Sequence, residues 1–109
     1  MKKADFLIKI LLDLNCSDAE RDDAAIELGY IYNDEFVEDA LLQIANNQNT
    51  DEMIRASCGE SLAQIWLSRK VFEYNKLSSL KGIAFSEAMG LIKREDRNIY
   101  EDIKKKFNI

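Results

Sequence analysis

The chain has 109 residues and a mass of 12.6 kDa, the length of one domain that buries roughly two-thirds of its unfolded surface on folding. Hydrophobic residues make up 47% and charged residues 32% at a net charge of −5, which excludes a disordered or fibrous chain. There is no His and no Pro, and the only cysteines are Cys16 and Cys58, so imidazole metal sites, Ser-His-Asp triads, Cys-His pairs and four-thiolate sites are excluded.

In chain order, Asp5 and Lys9 interrupt the apolar stretch after the opening Met-Lys-Lys, and no small-residue cleavage site follows. No apolar run approaches the roughly 18 residues of a membrane helix, so a cytosolic protein with reduced cysteines is expected. Phe6, Leu7, Ile10, Leu11 and Leu14 predict a first helix over 3–14. Ser17 followed by Glu20 is a capping box, in which hydroxyl and carboxylate each accept from the other residue's amide, so a second helix should start at Asp18. Its core side is predicted to be Ala24, Ala25, Leu28, Ile31 and Tyr32. Asp34 caps a third helix over 35–46, with Phe36, Val37, Ala40, Leu41 and Ile44 inward and Glu38 and Asp39 outward.

Asn46 to Asn49 is a polar loop, after which Thr50 is expected to cap a long fourth helix, 51–69. Ile54, Cys58, Leu62, Ile65 and Trp66 form its inner face. Cys58 is thereby read as a small buried hydrophobe and Trp66 as core packing. Asp96 caps a last helix, 97–107, with Tyr100, Ile103 and Phe107 facing in.

The sequence also repeats itself. Arg21, Ala24, Ala25, Leu28, Gly29 and Ile31 align with Arg55, Cys58, Gly59, Leu62, Ala63 and Ile65 at a constant offset of 34. A third copy over Lys81, Ala84, Ala88 and Leu91 follows at the shorter offset of 26, so the helix before it, within 71–80, should be abbreviated. The pattern Asp18-x-x-Arg21-x-x-Ala24-Ala25-x-x-Leu28-Gly29, with its partner Asp51-x-x-x-Arg55-x-x-Cys58-Gly59-x-x-Leu62, resembles the second helix of HEAT-like repeats of the short, phycobilisome lyase type. It departs from that pattern in lacking a first-helix proline and in the extra residue between Asp51 and Arg55. The resemblance implies an all-α chain, a right-handed stack of antiparallel helix pairs forming an α-solenoid of about six to seven helices over 1–109. Within it, 1–16 would be the N-terminal capping helix, 17–93 the repeats and 94–109 the C-terminal cap.

Charge is unevenly distributed. Residues 10–60 hold thirteen acidic against two basic side chains, −11, and residues 61–109 hold ten basic against six acidic, +4. Some acids complement helix N-termini. Asp22, Asp23, Glu27, Glu38 and Asp39 do so only partly or not at all, and carboxylates so concentrated favour a cationic partner. With Ala24, Leu28 and Ile31 inward, Asp23, Ile26 and Tyr30 point outward, an apolar and aromatic anchor in a charged surround. The candidate partner-binding residues are Asp22, Asp23, Ile26, Glu27, Tyr30, Asp34 and Glu38, with Ser57, Glu60 and Gln64 at the equivalent places one repeat on. Lys104, Lys105 and Lys106 fit the C-terminal end of a helix dipole, so nucleic acid is not expected as the partner.

These features predict a non-catalytic protein-binding module that needs no cofactor, metal or small-molecule substrate. Asp22-Asp23 and Asp34-Glu35 are adjacent pairs whose side chains point about 100° apart on a helix, so neither converges on one ion. A compact, acidic HEAT-like chain resembles the small bacterial immunity proteins that neutralise toxins, including those of contact-dependent growth inhibition systems. That resemblance implies a basic toxin domain, such as a nuclease, as partner. The same resemblance also admits a bilin lyase-like or chaperone-type factor, or a generic scaffold.

Overall fold

A computed structural model describes residues 2–109; the expected N-terminal cap, 1–16, thus begins one residue outside them. The described residues form seven helices and no strand: α1 (Lys3–Leu12), α2 (Asp18–Leu28), α3 (Glu35–Ala45), α4 (Glu52–Arg69), α5 (Tyr74–Ser79), α6 (Gly82–Glu95) and α7 (Arg97–Phe107). No helix among the described residues is long and apolar enough to cross a membrane. The radius of gyration, 13.2 Å, is close to the roughly 13 Å of a well-packed chain of this length.

Local chemistry sets the helix starts. The Ser17 hydroxyl accepts from the Glu20 amide at 3.1 Å and a Glu20 carboxylate oxygen accepts from the Ser17 amide at 3.1 Å, the reciprocal pair the capping box predicts. Asp34 accepts from the Phe36 amide and Asp96 from the Ile99 amide, so α3 and α7 begin where expected. For α4 the cap is Asp51, which accepts from the Met53 amide, and not Thr50. Either side chain can cap; the backbone turns helical one residue later, and Thr50 is buried. The abbreviated helix before the third repeat copy is α5, six residues long.

Helix α4 occupies the centre. Ile54, Cys58, Leu62, Ile65 and Trp66 are all fully buried, and so are Gly59 and Ala63 on its other side, because α2 and α3 pack on one flank and α6 on another. Small residues make these approaches possible. The Ser61 hydroxyl donates to the Ala25 carbonyl at 2.7 Å, and a Cβ on Gly29 would lie 2.7 Å from that same hydroxyl oxygen. A Cβ on Gly59 would overlap the Ala84 backbone, so α4 and α6 touch main chain to main chain there. The repeated arginines both donate to carbonyls: Arg21 Nε to that of Leu11 in α1 at 2.9 Å, and Arg55 Nε to that of Thr50, just before the cap of its own helix, at 3.0 Å. Each satisfies a carbonyl in the segment that precedes its helix.

Three apolar expectations and one polar one are corrected. Helix α1 ends at Leu12, and Leu14 lies beyond it, 81% exposed. Phe6 is exposed, because α1 turns Ala4, Leu7 and Leu11 into the core, with Ile8 and Ile10 half-buried beside them. Phe36, in the first turn of α3, is 75% exposed; Ile31 and Tyr32 do pack half-buried against the core, from the linker after α2. Glu38, expected outward, is 2% exposed, because α3 turns that side toward α4. Ile103 of α7 is buried as predicted, with Tyr100 and Phe107 half-buried against the core.

Candidate functional site

A groove runs between α2 and α4. Its walls are Ile26 from α2 and Tyr30 from the turn that follows it, with Ser57, Glu60 and Gln64 from α4; Gly29 and Ser61 form the floor, and the space is about 170 Å³. The sequence places these side chains together for a simple reason. Ser57, Glu60 and Gln64 lie three or four apart and form one stripe of α4, while Tyr30 follows Ile26 by four residues in the turn that ends α2. The Gly29 to Ser61 contact then brings the two sets side by side.

Two large apolar side chains stay in contact with water here: Ile26 is 46% and Tyr30 64% exposed. Asp23 and Glu27 lie one helical turn from them and are exposed, as is Glu60 across the groove. Among the described residues, the cation paired to this rim is Lys3, whose Nζ sits 3.5 Å from Glu27 with both side chains largely in solvent, a contact worth little. The site is therefore an apolar and aromatic ridge with an acidic border, next to a cleft wide enough for one long side chain.

Three of the ten candidate residues lie elsewhere. Asp22 is half-buried and does not line the groove; its Oδ1, like Arg21 Nη2, is enclosed without a hydrogen-bond partner, and its charge raises the Cys58 pKa. Asp34 is the α3 cap. Glu38 belongs to a separate polar cluster. Its carboxylate accepts from Trp66 Nε1 at 2.9 Å, Arg69 Nη1 at 2.6 Å and Nη2 at 3.2 Å, and Lys76 Nζ at 3.3 Å. Burial alone would raise the Glu38 pKa; the hydrogen bonds from Arg69, Trp66 and Lys76, with the Lys76 charge, more than offset it and hold the carboxyl below its usual range. A groove of about 340 Å³ lined by Asn33, Asp34, Glu35, Arg69, Glu73 and Lys76 opens above this cluster.

Wheel geometry missed the role of Glu38 because its partners come from 28 to 38 residues downstream. A signal did exist: a Trp on an inward stripe needs an acceptor for its indole N–H, and Arg69, one turn on, needs an anion.

The cysteines are not paired with each other. Burial pushes the Cys58 thiol up to about 12, with the Asp22 charge adding to it. At Cys16, desolvation and then the nearby Asp13 carboxylate, 3.6 Å from the sulfur, raise the thiol as well. Among the described residues no three His, Cys, Asp or Glu side chains converge on a point that could hold a metal ion.

No protein-family model matches the chain, and no curated protein or solved structure matches it either.

Proposed function

We propose that the seven helices are a short HEAT-like stack of helix pairs and that its α2–α4 groove binds a basic protein, most concretely a bacterial toxin domain that the chain neutralises as a cytoplasmic immunity protein. The observation that carries the binding reading is the groove itself. Ile26 and Tyr30 stay exposed to solvent beside Asp23, Glu27 and Glu60, on the wall of a cleft floored by Gly29 and Ser61. An aromatic anchor with an acidic border suits a partner that offers an Arg or Lys with an apolar stem, which can lie on the Tyr30 ring while its charge meets carboxylate. Support for stacked repeats comes from the close approaches of α2 to α4 and of α4 to α6. The immunity role itself rests on the resemblance and on charge.

The test is co-purification with the products of the genes flanking that of this chain, followed by a protection assay. The expected result is a salt-sensitive complex with a basic, toxic product and survival of cells that co-express both. Association should slow at least about tenfold in an Asp23→Lys, Glu27→Lys, Glu60→Lys variant of unchanged helicity. Failure of every such product to bind, with no protection, overturns the reading.

A further inference from the structure

A second groove lies between α6 and α7 at the other end of the helix row. Phe85, Met89 and Lys93 form one stripe of α6, and Tyr100 and Ile109 close the other side around about 380 Å³. The floor is apolar and the rim is cationic. Lys93 Nζ, Arg97 Cζ and Lys104 Nζ stand 5.6, 5.6 and 5.5 Å from the centre of the Tyr100 ring. Of these, Arg97 alone has an ion pair among the described residues, an exposed one to Glu101 at 3.4 Å. Three like charges gathered round one ring favour an anion beside it. Because cations already surround Tyr100, the ring is not a free platform for a nucleobase, and Phe85, Met89 and Ile109 fit an apolar side chain better than a sugar-phosphate backbone.

The complementary surface is on the same chain. Ile26 on α2 and Tyr30 just past its end stand exposed beside Asp23 and Glu27, apolar anchors with an acidic flank. Within one molecule the two cannot meet: α2 packs on α4, α4 on α6 and α6 on α7, so α4 and α6 stand between them. We propose that a second copy of this chain fills the α6–α7 groove, its α2 ridge seated head to tail against Lys93, Tyr100 and Lys104. Such a contact uses different surfaces on the two copies, leaves one of each open at the ends and therefore adds further copies. It also covers Ile26 and Tyr30, so self-association and capture of a basic partner at the α2–α4 groove exclude one another. The contact does not depend on that partner existing, and its test needs the chain alone.

Sedimentation velocity and light scattering of the full chain, over a wide concentration range at about 0.01 M salt, where the Debye length is about 30 Å, provide the test. The weight-average mass should climb with concentration past that of two copies and return to one copy at about 1 M salt. Two variants check the surfaces, each confirmed folded by circular dichroism: Asp23→Lys with Glu27→Lys reverses the ridge, and Lys93→Glu with Lys104→Glu reverses the groove. Each alone should associate at least about tenfold more weakly, because like charges then face each other. An equal mixture of the two should regain the wild-type growth in mass, because each reversed surface meets a reversed mate. A wild-type mass that stays at one copy, a variant that still associates, or a mixture that does not recover overturns the proposal. So does a single-stranded oligonucleotide that shifts the Tyr100 amide signal while the protein remains monomeric.

Discussion

The Trp66 indole N–H donates to the Glu38 carboxylate at 2.9 Å, joining α4 to α3 across 28 residues of chain in the interior of the protein. Arg69 and Lys76 meet the same carboxylate, so one buried acid ties together α3, the end of α4 and α5. Replacing Glu38 by Ala leaves two inward-leaning cations and a buried donor without an acceptor, and should cost about 3 kcal/mol in urea unfolding. Glu38→Gln keeps an acceptor for Trp66 and should cost roughly half as much. A loss below about 1 kcal/mol for Glu38→Ala would mean the cluster does not hold the helices together.

The same carboxylate sets an acid limit on stability. Its pKa is lower in the folded protein than the ordinary value of 4.5. The unfolded chain therefore takes up the proton first, and the Glu38 contribution is fully present above 4.5 and lost as pH falls through the lower folded value. Urea midpoints of wild type and Glu38→Gln should converge as pH drops below 4.5. Parallel curves would contradict the assignment.

Gly59 and Gly90 make a matched pair of tests. A Cβ at Gly59 overlaps the Ala84 main chain, so Gly59→Ala must push α4 and α6 apart, an overpacking cost of about 3 kcal/mol that the gain of about 1 in helix propensity only partly offsets. The net should lower Tm by roughly 10 °C. At Gly90 the nearest atom is the Arg94 guanidinium at 3.7 Å, so Gly90→Ala should raise stability by about 0.5–1 kcal/mol. Calorimetry that finds the two alike would refute the close approach.

Thiol labelling separates the two cysteines. Cys58 is fully buried with its thiol pushed up to about 12, whereas Cys16 is half-buried at the turn between α1 and α2. Native protein should take one maleimide, slowly and at Cys16, and denatured protein two. Fast double labelling of native protein would show that α4 is not held as described.

What could be read from the sequence was local. The Ser17–Glu20 box and the Asp34 and Asp96 caps act within three residues of themselves, and all three mark real helix starts. The inner stripe of α4 was legible for a similar reason: five apolar residues at helical spacing leave one orientation open, and all five are fully buried. The shortened offset of the third repeat likewise anticipated α5. Distant contacts were not legible. Glu38 reads as a solvated acid until Trp66, Arg69 and Lys76 arrive from two other helices, and Phe6 and Phe36 read as core until their helices settle with smaller residues inward. At the candidate site, helical spacing grouped Ile26 with Tyr30 and Ser57 with Glu60 and Gln64. That the two groups share one groove depended on the absent side chain at Gly29.

The central claim is that the α2–α4 groove, and not the negative charge of the N-terminal half as a whole, receives a cationic side chain. Amide chemical-shift mapping of the full chain, titrated with a short arginine-rich peptide at moderate salt, tests this most directly. Saturable shifts centred on Ile26, Tyr30, Ser57, Glu60 and Gln64 are expected, abolished by Tyr30→Ala together with Glu60→Lys. Shifts spread evenly over every exposed acid, Asp39 and Glu52 as much as Asp23, and unchanged in that variant, would contradict it.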